Sequence, residues 1–140
     1  MIFQRNPLFR LGLALNRHLN GKISVNKQVF TILDQFNFHH TMAETSGVAI
    51  VIFSGPACGS CRAWKQLLGN YQKRHPDVRL FEIDTERDQA LASEFSVFHL
   101  PALFAYRDGR YHAAISCEAT IGALDETLHA LLMSPAQDAP

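Results

Sequence analysis

Cysteine is scarce in this chain: three in 140 residues, at Cys58, Cys61 and Cys117. An odd count with one close pair excludes the dense disulfide framework of a small secreted domain. A second C-x-x-C is missing, which leaves the first short of a structural zinc site. No apolar run approaches the ~20 residues that a membrane-spanning helix needs. There is no glycine-rich phosphate loop and no Ser/His/Asp signature. Excess charge is missing too. Thirteen basic residues balance thirteen acidic ones, so no whole-chain field selects nucleic acid. Acidic residues are absent before Asp34, where Arg5, Arg10, Arg17, Lys22 and Lys27 stand alone; the rest carries eight basic against thirteen acidic residues.

What is present is a globular composition, 47% hydrophobic and 19% charged, at a length suited to one domain. Residues 1–27 read as an amphipathic N-terminal helix and a linker. Asn6 and Pro7 suit the helix start, Asn20-Gly21 its end, and Leu8, Leu11, Leu15 and Leu19 form one stripe. This helix either packs on the domain that follows or docks a partner or membrane surface through its flanking arginines. As a secretory signal the segment is poor, because Arg10 cuts its apolar part and no A-x-A-like site follows. The expected location is cytoplasmic. The basic, acid-free start keeps an exported or organellar alternative open.

The chain is organised around Val48–Tyr71. Val48 to Phe53 is a continuous, mostly β-branched strand suited to burial on both faces. Ser54-Gly55-Pro56 breaks it. Cys58 and Cys61 follow, and Trp64, Leu67, Leu68 and Tyr71 then share one helical face. Upstream, residues 22–31 hold a short strand centred on Val29-Phe30-Thr31, and a helix is expected over Ile32 to Glu44. The adjacent pair His39-His40 diverges on such a helix and reads as solvated rather than metal-binding. Downstream, Val78 to Ile83 is a strand, and Thr85 is the expected cap of a helix carrying Leu91 and Phe95. Ala102 to Tyr106 is a strand, Arg107-Asp108-Gly109-Arg110 a hairpin turn, and Tyr111 to Ser116 the returning strand. Thr120 caps a last helix through Leu132. Residues 134–140 are expected to be a flexible tail.

The C-x-x-C spacing carries the chemistry. Two sulfurs three residues apart at a helix start can meet with little backbone motion. Free N–H groups and the dipole at that terminus favour a thiolate, and Arg62 and Lys65 add positive charge. Cys58 is then the nucleophile and Cys61 the resolving thiol.

A buried strand, C-x-x-C, helix, strand, helix, then Leu100-Pro101 opening a strand about forty residues on, a Gly109 hairpin and a final helix resemble the thioredoxin family. The resemblance covers residues 28–133, with Asp84 also matching. It implies an α/β thioredoxin fold, a central mixed sheet of four to five strands flanked by helices, with the N-terminal helix as an extra. It implies a cis Pro101 facing the Cys58–Cys61 pair, and substrate contact at Gly59, Ser60, Leu100 and Pro101. The implied partners are protein disulfide or dithiol substrates and an external reductant such as a reductase or glutathione, with no cofactor and no metal.

The sequence also departs from the family. Ala57 stands where the family has a tryptophan, and Ser60 where it has a proline. Ile52 and Leu80 replace a buried acid and its lysine partner, for which Glu82 or water is a substitute. Cys117 aligns with a glycine beside the cis-proline. It is either a small buried residue or a third redox thiol. His99 is either a satisfied loop histidine or a modulator of Cys58. Three functions remain: a thiol–disulfide oxidoreductase, a binding or assembly module with weak redox activity, and a metal site built from Cys58, Cys61, Cys117 and His99.

Overall fold

In a computed structural model the described residues are 29–140; the expected N-terminal helix and its linker, residues 1–27, lie outside them. Five strands and four helices alternate. They are β1 (Thr31–Leu33), α1 (Phe38–Ala43), β2 (Val48–Ser54), α2 (Gly59–Arg74), β3 (Arg79–Asp84), α3 (Gln89–Glu94), β4 (Ala102–Arg107), β5 (Arg110–Ile115) and α4 (Ile121–Met133). The sheet order is β1-β3-β2-β4-β5. β1 and β2 both run parallel to β3, β4 runs antiparallel to β2, and β5 antiparallel to β4. The mixed sheet is therefore the expected one.

β2 is central, and its residues from Ala49 to Ser54 are all buried. Alternation sends its side chains to two cores. Ala49, Val51 and Phe53 meet Phe38, Phe81, Leu91, Phe95 and Phe104 on the α1/α3 face. Ile50 and Ile52 meet Trp64, Leu68, Leu80, Leu124 and Leu128 on the α2/α4 face. The directions of β1, β2 and β3 bring their C-terminal ends to the end where β4 begins and β5 finishes. Both cysteines of the motif and the Leu100-Pro101 loop lie at that end.

Two local expectations are corrected. Ile32 and Leu33 belong to β1, and the helix expected from Ile32 starts only at Phe38. The Asp34 carboxylate accepts the N–H groups of Phe36 and Asn37 at 2.9 and 3.0 Å, while Asn37 Oδ1 accepts Asp34 N–H at 2.8 Å. This side-chain turn competes with a helix over the same residues. Thr85 does not cap α3; its hydroxyl donates to the Ser54 carbonyl at 3.0 Å, and Asp88 occupies the cap position.

The hairpin has its glycine for a physical reason. Gly109 adopts φ +81°, and a Cβ there would lie 2.6 Å from the Met42 carbonyl oxygen, so the turn closes onto the end of α1 only without a side chain. Thr120 caps α4 as expected, its hydroxyl accepting Ala123 N–H at 3.1 Å. The segment after Ser134, expected to be loose, is tied to β5 at Gln137. Gln137 N–H donates to the His112 carbonyl at 2.7 Å, and its side-chain oxygen accepts Ala114 N–H at 3.2 Å.

Candidate functional site

β2 stops at Ser54 because Gly55 and Pro56 follow, and α2 starts at Gly59 with Cys58 as its cap residue. Cys58 has extended backbone, and its Sγ accepts the N–H of Cys61 at 3.1 Å. A cap normally presents an oxygen to this donor. Here the acceptor is sulfur, so a backbone donor and the helix dipole are both directed at the atom that would carry negative charge. Cys58 and Cys61 form a disulfide with Cα atoms 5.2 Å apart.

The two cysteines differ in access. Cys58 is half-buried, while Cys61 retains 1% of its exposure. Only Cys58 is open to another molecule. The Ser60 hydroxyl lies 3.5 Å from Cys58 Sγ, a contact a proline at this position lacks. Arg62 is exposed over Gly59, as a source of positive charge at the helix start. Lys65 is not such a source, because its Nζ is paired with the Glu82 carboxylate at 2.7 Å.

That pairing belongs to a polar cluster that sequence reasoning saw only in part. Ile52 and Glu82 are register partners on β2 and β3, so their side chains share the α2/α4 face. Glu82 Oε2 accepts from Lys65 and, at 2.6 Å, from the buried hydroxyl of Ser54. An acid–lysine pair thus exists beside Ile52, one strand over, with the lysine drawn from α2. Lys65 lies one turn beyond Cys61 on the same helix, so the two share a face. The signal available in sequence was weak: seventeen residues separate the pair, and no local spacing marks it.

The Leu100–Pro101 peptide is cis, as the resemblance implied. Leu100 retains 37% of its exposure and Phe98, two residues earlier, 84%. Gly59, Ser60 and His99 are exposed, and Pro101 is half-buried. Cys117 is a free, half-buried thiol at the same end of the sheet, packed against the α2/α4 core. His39 and His40 do diverge, His39 toward Glu94 at 3.0 Å and His40 toward Glu44 at 3.5 Å. Among the described residues no three His, Cys, Asp or Glu side chains converge as a metal site would require. Among the same residues no helix is long and apolar enough to cross a membrane.

At the far end of α2 a second cluster forms. Tyr71 donates to Asp125 at 3.0 Å, and its ring stacks on His75 at 4.2 Å. Burial, then the hydrogen bond and charge of Asp125, push the Tyr71 hydroxyl up to about 12.

Comparison with known proteins agrees with this geometry. The family model described as Thioredoxin matches residues 29–130. Thioredoxin domain-containing protein 2 of Mus musculus is 29% identical over 127 residues, covering 90% of this chain but 23% of its own length. The chain therefore spans less than a quarter of that relative. A Thioredoxin H-type of Fagopyrum esculentum is 29% identical over 99 residues, covering 69% of this chain and 81% of its own. Oxidised mitochondrial thioredoxin 3 of Saccharomyces cerevisiae superposes with a TM-score of 0.63 at 22% identity, over 72% of this chain and 94% of its own. A family match over nearly three quarters of the residues, on a fold with the pair at the start of α2, places this chain in the thioredoxin family.

Proposed function

We propose that the chain is a thiol–disulfide oxidoreductase acting on protein disulfides through Cys58 and Cys61. The observation that supports this most directly is the asymmetry of the pair: a reachable sulfur held on a backbone N–H, bonded to a buried one. In the reduced protein the Cys58 thiolate attacks one sulfur of a substrate disulfide. The substrate S–S bond breaks, its second sulfur leaves as a thiolate, and a mixed disulfide forms on Cys58. Cys61 then loses its proton and attacks Cys58 Sγ, which expels the remaining substrate thiolate and restores the Cys58–Cys61 bond. Two electrons pass to the substrate. An external reductant, a reductase or two molecules of glutathione, supplies two electrons and resets the pair.

The Ser60 hydroxyl is placed to donate to the Cys58 thiolate, and Gly59, Leu100 and Pro101 border the substrate's path. In a reducing compartment such as the cytoplasm the pair runs as a reductant. The binding-module reading is less economical, since an adaptor has no use for the capped sulfur.

Insulin reduction by dithiothreitol tests the proposal. The chain should accelerate it, Cys58→Ser should abolish the acceleration, and Cys61→Ala should trap a mixed disulfide visible by mass spectrometry. Acceleration that survives Cys58→Ser would refute it.

A further inference from the structure

The turn between β4 and β5 stands at the end of the sheet away from the Cys58–Cys61 pair. Arg107, the last residue of β4, and Arg110, the first of β5, are register partners, and both are exposed. Directly opposed residues project to one face of a sheet, and His112, two along from Arg110, projects to the same face. That face is the α4 side. Arg107 Nη1 donates to the Leu132 carbonyl at 3.1 Å, and the His112 ring nitrogen to the Leu131 carbonyl at 2.7 Å. Like charges opposed across two strands repel. A carboxylate between them would relieve this. Among the described residues, however, every ion pair uses a histidine or Lys65, and none uses an arginine.

Arg107, Asp108, Arg110, Tyr111, His112 and Ala136 line a cavity of about 440 Å³ here. Its one carboxylate is engaged elsewhere, since Asp108 Oδ1 accepts the Gly47 N–H at 2.7 Å. The bonds of Gln137 to His112 and Ala114 keep Ala136 beside β5. The carbonyl end of a helix disfavours an anion. Here the Leu131 and Leu132 carbonyls are already taken by His112 and Arg107. A guanidinium has five N–H donors, so Arg107 keeps most of its fork after that bond. A carboxylate has two oxygens and satisfies one such fork. A phosphate monoester presents three oxygens and nearly two charges, enough for both.

We propose that this cavity is an anion site that takes a phosphate group, free or carried on a small molecule, between Arg107 and Arg110. Asp108 limits its affinity. The site is remote from the sulfur pair and stands independently of the exchange chemistry.

The test titrates the isotope-labelled full chain with inorganic phosphate at neutral pH, followed by arginine side-chain and backbone amide NMR signals. Sodium chloride of matched ionic strength is the control. Two charge-assisted hydrogen bonds place half-saturation at about 1 mM or below. The Arg107 and Arg110 signals should shift and saturate, while those of Arg62, Arg79 and Arg87 stay with the chloride control. Arg110→Gln should weaken binding at least about tenfold. Asp108→Asn keeps an oxygen for the Gly47 N–H at a backbone φ of +50° that asparagine adopts readily, and removes the lining's negative charge. It should tighten binding about twofold to fivefold. Phenyl phosphate is titrated in parallel. Equal affinity assigns the site to the free ion, and tighter phenyl phosphate to a monoester whose carbon part uses the rest of the cavity. Shifts that never saturate, that match chloride or that spread evenly over all the arginines overturn the site. So does Arg110→Gln within twofold of the parent chain, or Asp108→Asn that binds no tighter.

Discussion

The two faces of the sheet are built on different principles. On the α1/α3 face, Phe38, Phe53, Phe95 and Phe104 meet edge-on or tilted with ring centroids 5.3–5.6 Å apart between neighbours. On the α2/α4 face the core admits a disulfide sulfur, a hydroxyl and an ion pair: Cys61, Ser54, and Lys65 with Glu82. Aromatic packing gives strength without chemistry. A partly buried ion pair contributes little net stability, because desolvating the charges offsets their attraction. The first face is closed by aromatic packing, while the second combines an aliphatic core with polar groups beneath the Cys58–Cys61 loop.

Mutations can break that contrast. Phe53→Ala, at the centre of the aromatic face, should cost about 3–5 kcal/mol in denaturant unfolding. Glu82→Leu should cost less, about 2 kcal/mol, since Lys65 is a third exposed and partly solvated when its partner is lost. Adding Lys65→Met should recover most of that loss; a double variant as weak as the single one would show the pair to be a net contributor.

Alkaline titration sharpens the comparison further, because each face holds a tyrosine. Burial raises Tyr106 on the aromatic face, with Tyr111 and Glu94 adding to it, and Tyr71 on the other face rises to about 12. Both bind their protons more tightly when folded. Their contribution to stability is complete below pH ~10 and falls as pH climbs through and beyond it. Phenolate absorbance should show Tyr71 ionising before Tyr106, with Tyr106 ionising only as the chain unfolds. The smallest effect concerns helix starts. Thr120→Ala removes the side-chain cap of α4 and should cost about 1 kcal/mol, measured as a lowered urea midpoint.

How much could be read in the sequence follows from how local each feature is. The β-branched run of β2, the C-x-x-C after it, Pro101, the Asp108-Gly109 turn and the Thr120 cap are each carried by adjacent residues. These fall where expected, whereas the Thr85 cap, the start of the first described helix and the first strand, centred on Val29-Phe30-Thr31 in the sequence but formed by Thr31–Leu33, do not. The cap and the helix start differ because the side chains had distant or competing partners: Thr85 turns to Ser54, and Asp34 with Asn37 closes a turn. Leu33 fits a helical stripe as well as a strand, and only its burial against the sheet decides. The site divides in the same way. Cys58 and Cys61 announce themselves, whereas the Glu82 pairing depends on three separate segments, β2, α2 and β3, meeting. His112 was also silent in sequence; it is buried, with its ring nitrogen 2.7 Å from the Leu131 carbonyl.

The bonds from Gln137 to His112 and Ala114 bear on how the molecule behaves in a crowded solution. β5 is the outermost strand on its side of the sheet, and open amides and carbonyls there invite another chain to add a strand. Gln137 occupies one of each, and the opposite flank, β1, is only three residues long. Residues after Ser134 thus cover part of that edge, and removing them should show first as aggregation on concentration rather than as lost folding.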